Sequence, residues 1–403
     1  MKVLLISTWF PYPPTQGSKT RAYHLLRSLA SQHEVKLLSF EDVPVRPEWH
    51  EHLMAYCRGV EVVPRAPFAR SLRGRIRGWL SPEPSAVVGG YSPEMDEAAQ
   101  AATRAWKPDT VVALTFVAAP YALRVDTARR VLDLDNLTAE MLADEGTLAR
   151  SPLRRLRLRM ASQKFARYEA RLCQAFDLAL VTSRRDSARL HARTDLPAAR
   201  IGVVPNGVDL NHFLPGNEPI DPSRLVFTGA VTYEPNFDAV QFFAREILPS
   251  IRAEVPEATL SVTGGTEGAA VDGLARIDGV HFTGFVEDLR PMVRTCAACV
   301  VPLRRGGGTR LKVLEAMALG TPVVSTAKGA EGLELESGRE LLVEDSPDRF
   351  ARAALRLMKN PRLRAEVAER ALERVRREYG WEQIGGRFLG QLEEVRNARL
   401  VTQ

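Results

Sequence analysis

Short apolar runs of strand length alternate with helical stretches along most of the chain. The runs are rich in branched residues and do not alternate with polar residues, which is typical of parallel strands buried on both faces. A helix is predicted near residues 20–31, between the first two runs. In the first half of the chain, the pattern predicts strands at 3–7, 35–40, 111–115, 130–135, 178–182 and 202–209.

A second series of the same kind begins at residue 224. Its strands are predicted at 224–229, 258–264, 280–284, 298–303, 321–326 and 340–344. Two such series in tandem indicate an α/β protein with two Rossmann-like, doubly wound parallel-sheet domains. The boundary is predicted where glycine, proline and asparagine concentrate. The predicted division is an N-terminal domain at 1–206, a hinge at 207–222, a C-terminal domain at 223–378 and a terminal helix at 379–403.

Length and composition agree with this division. The chain has 403 residues, of which 45% are hydrophobic and 26% are charged, enough for two soluble domains of roughly 200 residues. No apolar run approaches the roughly 18–20 residues of a membrane-spanning helix. The opening MKVLLISTWFPYPP carries no small-residue cleavage site, so it is predicted to be a first strand rather than a signal peptide. We therefore expect a cytoplasmic protein.

The net charge of +6 is unevenly distributed, because arginine is concentrated at 65–78 and 150–171. Such patches attract anions. No nucleic-acid-binding motif accompanies them, so we expect no nucleic-acid partner. Peripheral contact with an acidic membrane surface or with a phosphorylated acceptor is one interpretation, and ordinary solvated helix faces are the other.

Cys296 and Cys299 form a C-x-x-C at the entry to a predicted buried strand. No second pair and no nearby histidine completes a zinc site. The four cysteines of the chain also do not form a disulfide framework at this length. We expect two small core residues rather than a metal or redox site.

Three predicted strands of the second half end in glycine, at Gly229, Gly264 and Gly284. The carboxyl ends of parallel strands line the ligand crevice, and glycine lets the backbone approach a ligand closely. One such glycine is weak support for a site. Three at corresponding positions indicate a ligand-binding edge.

The segment from Cys299 to Pro322 carries the strongest signal. A strand leads into the run Gly306–Gly308, and a helix is predicted from Thr309 to Leu319, closed by Gly320. A glycine-rich loop that opens a helix offers free N–H groups and the positive end of the helix dipole, which suits a diphosphate. The loop is not a Walker A motif, because no G-K-[ST] ends it. The first half also lacks G-x-G-x-x-G, which argues against a nicotinamide or flavin enzyme.

The helix after this loop begins with charged side chains. Arg310 adds a fixed cation in the predicted first turn. Lys312 and Glu315 are three residues apart and share a helix face, as a surface ion pair or as part of a site.

Residues 306–333 resemble the donor-binding region of GT-B fold glycosyltransferases, and are most similar to the retaining family 4 group (glycosyl transferases group 1). Further segments, which follow one another in the order that the family has, extend the resemblance over most of the chain. They resemble the first strand with its acceptor-side loop, the interdomain hinge, the first donor strand and helix, the base-gripping strand, and the terminal helix that crosses back to the N-terminal domain. These segments are 9–35, 203–209, 225–243, 280–293 and 380–392.

The resemblance implies a set of donor-binding residues and also shows departures from the family. Family members usually carry two glutamates eight positions apart; Glu315 matches the second, which holds the ribose, but Gly307 stands at the first. The usual arginine and lysine after the first donor strand are missing. Arg310 and Lys312 are therefore predicted to be catalytic, as cations for the leaving diphosphate, with Arg304 or Arg305 as an additional cation. The predicted donor-binding residues are Gly229, Gly284, Phe285, Gly307, Gly308, Thr309, Arg310, Lys312 and Glu315.

On the acceptor side, the resemblance implies contacts from Gly17, Ser18, Lys19 and Asn136, with Gly17-Ser18 in place of a glycine pair. Asp135 stands where the family often has a histidine, and it is predicted to be catalytic. With Asp133 it spells a D-x-D, the metal motif of a different glycosyltransferase fold. Metal binding, an acceptor contact and a helix start remain open at this point.

The resemblance implies a hexosyltransferase-type enzyme that moves a sugar from a nucleotide-sugar donor to an acceptor hydroxyl, with retention and without metal or cofactor. The acceptor is expected to be a lipid-linked or membrane-proximal glycan, as in surface polysaccharide or glycoconjugate biosynthesis, reached at the inner face of the membrane. Two alternatives remain: a non-catalytic partner that binds a nucleotide sugar, and a nucleotide-sugar epimerase. An epimerase needs an acid and a base at the sugar. The second half contains only two histidines, His212 and His281, which do not form an evident catalytic pair.

Overall fold

The computed structural model describes residues 1–65, 81–149, 151–308 and 310–400. The chain divides into two compact units. Unit 1 comprises Met1–Pro205 together with the segment that begins at Ile384, and unit 2 comprises Asn206–Gln383. None of the described helices is long and apolar enough to cross a membrane.

Unit 1 is built on a seven-stranded sheet in which every pairing is parallel. The order across the sheet is β3-β2-β1-β4-β5-β6-β7. The strands are β1 (Lys2–Ser7), β2 (Glu34–Glu41), β3 (Gly59–Pro64), β4 (Thr110–Leu114), β5 (Arg129–Leu134), β6 (Leu178–Val181) and β7 (Ile201–Val203).

Helices connect these strands and cover the sheet. The helices are α1 (Gly17–Ala30), α2 (Pro47–Met54), α3 (Ser85–Gly89), α4 (Pro93–Trp106), α5 (Thr115–Ala122), α6 (Thr138–Leu148), α7 (Pro152–Ala175) and α8 (Arg184–His191), with a 3₁₀ turn at Ala198–Arg200.

The six strands predicted for this half are all present, with bounds that differ by a few residues, whereas β3 was not predicted. The predicted strand at 202–209 is shorter in the structure, because β7 ends at Val203. Strand β3 lies at the sheet edge and is mostly half-buried, so its sequence GVEVVP lacks the continuous apolar run that marks a central strand.

Unit 2 contains a six-stranded parallel sheet in the order β10-β9-β8-β11-β12-β13. The strands are β8 (Asp221–Thr228), β9 (Thr259–Thr263), β10 (Val280–Gly284), β11 (Cys296–Val301), β12 (Val323–Ser325) and β13 (Leu342–Val343). The prediction of two Rossmann-like parallel-sheet units is confirmed.

The helices of unit 2 include α9 (Glu234–Phe242), which continues through a π-helical turn at Phe243–Ile247 into α10 (Leu248–Glu254). The helix predicted at 309–319 is observed as α13, which runs from Leu311 to Ala318. The others are α11 (Asp272–Ala275), α12 (Arg290–Arg294), α14 (Pro347–Lys359) and α15 (Pro361–Glu378). The last helix of the chain, α16 (Trp381–Leu400), begins at the end of unit 2, and its residues from Ile384 onward belong to unit 1.

Each sheet has one point where the strand order reverses. In unit 1 the reversal lies between β1 and β4, and in unit 2 it lies between β8 and β11. Loops diverge there at the carboxyl ends of the strands, which makes these two places the expected ligand crevices.

The last helix, α16, supplies a buried face to unit 1. Ile384, Phe388 and Leu392 lie at helical spacing, and each is at most 3% exposed. A Cβ at Gly385 would collide with the hydroxyl of Ser28 on α1, so the two helices are in close contact. Unit 1 is therefore assembled from the two ends of the described chain.

Candidate functional site

The three strand-end glycines of unit 2 lie side by side at the carboxyl edge of the sheet. Gly229 and Gly264 follow β8 and β9 with φ of 130° and 128°, and Gly284 ends β10 with φ of 69°. The amide of Gly229 donates to the carbonyl of Thr263 at 2.8 Å, and the amide of Gly264 donates to Gly284 at 2.9 Å. Because side chains rarely adopt such positive φ values, these positions require glycine. Phe285 follows with 79% of its surface exposed, and its role in gripping a base stays a prediction.

The glycine loop between β11 and α13 is held from inside by Arg310. Its guanidinium donates to the carbonyls of Gly307 and Gly306, each at 2.7 Å, and to that of Lys328 at 3.4 Å. Only 6% of Arg310 is exposed. Arg310 thus precedes the helix rather than lying in its first turn, and it braces the loop. Its predicted contact with a diphosphate stays a prediction.

Other parts of this loop were also assigned to the donor. Gly308 has φ of 80°, and Thr309 lies outside the described residues. The two arginines that were considered as additional cations contact α9 instead. Arg304 pairs with Asp238 at 2.7 Å, and Arg305 lies 2.6 Å from Glu234.

Lys312 reaches from the first turn of α13 to the end of β8. Its Nζ donates to Oδ1 of Asn236 at 2.9 Å and lies 4.0 Å from the ring centroid of Phe227. A Cβ on Gly229 would come within 2.8 Å of the same Nζ. The amine of Lys312 therefore lies beside the end of β8, next to Gly229. No signal in the sequence identified Asn236 and Phe227 as its partners.

The environment brings the pKa values of Lys312 and Glu315 close together. The pKa of Lys312 is lowered to about 7, chiefly by burial; Cys299 and Glu315 raise it in part, and the charge of Arg310 adds to the lowering. Burial raises the pKa of Glu315 to about 7, against the effect of Lys312. Both residues keep part of their surface exposed, yet burial is the largest influence on each. Near neutral pH, both groups can change charge when a charged ligand arrives.

In unit 1, the two aspartates of the D-x-D have different partners. Asp133 accepts two hydrogen bonds from Arg21, at 2.8 Å from Nε and 2.6 Å from Nη2, and both side chains are 2% exposed. Arg21 also donates to the carbonyl of Pro205 at 3.1 Å. Asp133 is therefore the buried partner of a bidentate arginine, which the sequence analysis did not foresee.

Asp135 follows β5 and faces the start of α1. The hydroxyl of Ser18 donates to its Oδ2 at 2.6 Å. Burial raises the pKa of Asp135; the hydrogen bond from Ser18 lowers it, Asp133 raises it, and Arg21 and Asn136 lower it. The Oδ1 atom of Asn136 is buried and has no hydrogen-bond partner in the described part of the chain. A carboxyl and an unpaired acceptor therefore lie at the carboxyl edge of the sheet.

Of the predicted acceptor-side residues, Gly17, Ser18 and Asn136 lie near Asp135, because Gly17 begins α1 directly before Ser18. Lys19 is directed elsewhere: its Nζ pairs with Asp42 at 2.7 Å, and only 4% of the residue is exposed.

The structure adds a threonine pair that the sequence analysis missed. Thr8 follows β1 and Thr115 follows β4, so the pair spans the strand reversal of unit 1, with their hydroxyl oxygens 2.7 Å apart. Thr115 has φ of 72°, a strained conformation for a β-branched residue. Backbone strain of this kind is concentrated at functional sites, and no sequence pattern predicts it.

Neither the cysteines nor the carboxylates form a metal cluster in the residues that the structure describes. Cys296 and Cys299 are buried in β11 as free thiols, as predicted for core residues. Burial raises the pKa of both to about 12, which keeps them protonated.

Comparison with known proteins shows which family the chain resembles in sequence. Residues 15–212 match the model "Glycosyltransferase Family 4", and residues 222–360 match "Glycosyl transferases group 1". A D-inositol 3-phosphate glycosyltransferase from Nocardioides sp. is 28% identical over 245 residues, which is 53% of either chain. A phosphatidyl-myo-inositol mannosyltransferase from Mycolicibacterium smegmatis is 28% identical over 211 residues, covering 50% of this chain and 53% of that one. The chain thus spans about half the length of the curated relatives it matches.

Solved structures share the fold over nearly the whole chain. A sucrose-phosphate synthase from Thermosynechococcus elongatus has a TM-score of 0.74 at 18% identity, covering 99% of this chain and 100% of that one. The Anabaena protein HepE, solved in complex with UDP and glucose, has a TM-score of 0.66 at 16% identity, covering 98% and 100%. With both family models matched in order and the fold shared throughout, the protein belongs to the group 1, family 4 glycosyltransferases of the GT-B fold.

Proposed function

We propose that this protein transfers a hexose from a nucleotide sugar to an acceptor hydroxyl, with retention of configuration and without a metal ion. The observation that carries the proposal is the ammonium of Lys312, which lies at the end of β8 beside Asn236 and Gly229. It stands at the strand reversal of unit 2, where doubly wound sheets bind their ligands.

The chemistry requires positive charge at the leaving group. Cleavage of the bond between the anomeric carbon and the donor's diphosphate oxygen leaves negative charge on the diphosphate. A cation fixed in advance at that place stabilises the transition state more than it stabilises the substrate. Lys312 supplies this charge, and the N-terminal amides of α13 add the positive end of the helix dipole. Because an anion raises the pKa of a nearby lysine, the bound diphosphate favours the charged ammonium.

The two carboxyl groups, Glu315 and Asp135, are proposed to bind the donor and the acceptor. Glu315 lies on the same helix face and accepts hydrogen bonds from the ribose hydroxyls. The acceptor hydroxyl attacks from the side of the leaving group, and its proton passes to a diphosphate oxygen as the new glycosidic bond forms. Asp135 binds the acceptor through its carboxyl, held in place by Ser18.

The acceptor is proposed to carry phosphate or a lipid. The names of both relatives contain an inositol that bears phosphate, and the arginine-rich helix α7 of this chain suits an anionic partner. We place the reaction at the cytoplasmic face of a membrane, in the assembly of a surface polysaccharide or another glycoconjugate.

The test is incubation with a panel of UDP-, GDP- and ADP-sugars, with and without inositol phosphate or phosphatidylinositol. Nucleotide released only when an acceptor is present supports transfer, and the NMR coupling of the new anomeric proton reports retention. An isomerised donor would indicate an epimerase instead. Donor binding by calorimetry without any turnover would indicate a non-catalytic binder.

A variant separates the role of the lysine from folding. Lys312→Met keeps the length of the side chain and removes its charge, so turnover should fall at least a hundredfold, the usual effect of losing one such electrostatic group. Lys359→Met, at the end of α14 in the same unit and outside the site, is the matched control. Equal turnover in both variants would remove Lys312 from the proposed role.

A further inference from the structure

Helix α7 presents one face that changes character along its length. Six residues spaced three or four apart form this face, so they follow one another turn by turn on a single side of the helix. We call it the α7 stripe, and it consists of Leu153, Leu156, Met160, Lys164, Arg167 and Arg171.

The first half of the α7 stripe is apolar and open to solvent. Leu153, Leu156 and Met160 are 57%, 55% and 40% exposed. Single exposed apolar residues are ordinary, but three aligned on one helix face form a contiguous patch that marks an interaction surface. The other side of the helix packs into unit 1 through residues such as Phe165 and Leu172, so the exposed side is held in a fixed orientation.

The second half of the α7 stripe is cationic and lines an open groove of about 630 Å³, which Pro82 and Arg193 complete. Lys164 donates from Nζ to the carbonyl of Ser81 at 2.9 Å, which fixes its ammonium at the rim. Arg167 and Arg171 are exposed and form no ion pair with a carboxylate among the described residues.

The cationic half of the α7 stripe is therefore suited to bind anionic groups from outside the protein. Arg193 pairs with Glu140 and lies 3.9 Å from Glu169, so its charge is partly balanced from within. The charges of Arg167 and Arg171 are not balanced in this way. Two guanidinium groups, four residues apart beside an open groove, match phosphate groups in charge and in hydrogen-bond geometry.

We propose that the α7 stripe docks on an anionic lipid bilayer. The apolar half enters the boundary between headgroups and acyl chains, and the cationic half binds headgroup phosphates. An apolar face flanked by arginine is the arrangement of helices that lie in a membrane interface. Arg157 and Arg159, both exposed, add positive charge next to the apolar half. A nucleic acid would use the cationic half alone and leave the apolar half without a role.

This inference rests on the proposed function in one respect only, since the bilayer would present the acceptor. Docking itself needs no transfer reaction. The arginine-rich stretch predicted at 65–78 lies, from residue 66, outside the described residues.

The experiment measures cosedimentation of the full chain with vesicles of phosphatidylcholine, with or without 30% phosphatidylglycerol, at two salt concentrations. One variant replaces the cations (Arg167→Gln with Arg171→Gln), and another replaces the apolar residues (Leu153→Gln with Leu156→Gln). The matched control replaces two exposed arginines at the same spacing on α14 (Arg352→Gln with Arg356→Gln). Circular dichroism confirms that each variant folds.

The wild-type protein should bind the anionic vesicles and not the neutral ones. One arginine near an anionic surface contributes on the order of fivefold to the binding constant, so the cation variant should bind about 25-fold more weakly at low salt. The difference should shrink at high salt, because exposed charges are screened. The apolar variant should lose binding at both salt concentrations, and the control should bind like the wild type.

Several outcomes would overturn the proposal. Absence of binding to anionic vesicles is one, and equal loss in the control variant is another. If the apolar variant converts a dimer into a monomer in light scattering, the α7 stripe is a self-association surface instead. Vesicle binding without transfer would leave docking intact and refute the proposed reaction, whereas transfer to a soluble acceptor without vesicle binding would do the reverse.

Discussion

The titration of Lys312 makes the strongest quantitative prediction about the enzyme. Only the protonated amine can stabilise a departing diphosphate. With a pKa of about 7 in the free protein, about half of the lysine is charged at pH 7, about a tenth at pH 8 and about a hundredth at pH 9. We therefore expect kcat/KM, which reports the free enzyme, to fall about fivefold from pH 7 to pH 8 and about tenfold more by pH 9.

The same reasoning predicts a different profile for kcat. In the complex, the diphosphate stabilises the ammonium of Lys312, so the fall in kcat should begin at a higher pH. Replacement by arginine keeps the charge at every accessible pH, so Lys312→Arg should lose the decline of kcat/KM on the basic side, at whatever overall rate it retains.

The assay is the initial rate of nucleotide release at donor concentrations far below KM and at saturation, between pH 5.5 and 9.5. Thermal melts at each pH exclude unfolding as the cause. A wild-type kcat/KM that stays constant from pH 7 to pH 9 would refute the reasoning. The same basic decline in the wild type and in Lys312→Arg would refute it as well.

Three further substitutions test the geometry of the two edges. Gly229→Ala places a Cβ 2.8 Å from the lysine ammonium at φ of 130°, so turnover should fall at least tenfold, whereas Gly268→Ala, with φ of 77° and open space around its Cβ, should retain it in the same rate assay. Asp133→Asn leaves the guanidinium of Arg21 buried without its counter-charge and should cost about 3–5 kcal/mol of stability, seen as an earlier transition in calorimetry, while turnover per folded molecule changes less. Arg310→Lys keeps the charge but loses the forked donors, so it should be as impaired in turnover as Arg310→Ala if bracing of the loop is its role; a rate near that of the wild type would show that charge alone matters.

The pH dependence of stability should also reflect the titration of Glu315. Its folded-state pKa of about 7 lies above the value of 4.5 for an unperturbed glutamate, so between these values the folded state binds a proton that the unfolded state does not. Stability from this group is therefore complete below pH 4.5 and declines as pH rises through 7. Glu315→Gln should remove that decline, which urea unfolding at a series of pH values would show.

The sequence predicted the fold well because central parallel strands are continuous apolar runs. Strand β3 was not predicted because an edge strand buries only part of its surface. A short alternating segment of this kind cannot be distinguished from a loop by its pattern alone. Along the glycine-rich segment, local spacing was enough to predict the loop and the helix of the candidate site.

The contacts within the site could not be predicted in the same way. Lys312 meets Asn236 across 76 residues of chain, and a local pattern holds no information about such a partner. The contacts of Arg310 with the carbonyls of Gly306 and Gly307 depend on the path of the loop, which local spacing does not describe. The φ of Thr115 depends on how β4 turns into α5, which hydrophobic periodicity does not describe.

The return of α16 to unit 1 has a consequence for how the protein is made. The ribosome delivers residues 1–205 first and reaches Ile384 only after all of unit 2 has been synthesised, which takes on the order of ten to forty seconds. During that interval, the surface of unit 1 that later receives Ile384, Phe388 and Leu392 has no partner. The nascent chain therefore exposes a defined apolar site to chaperones, and the N-terminal unit is completed last although it is translated first.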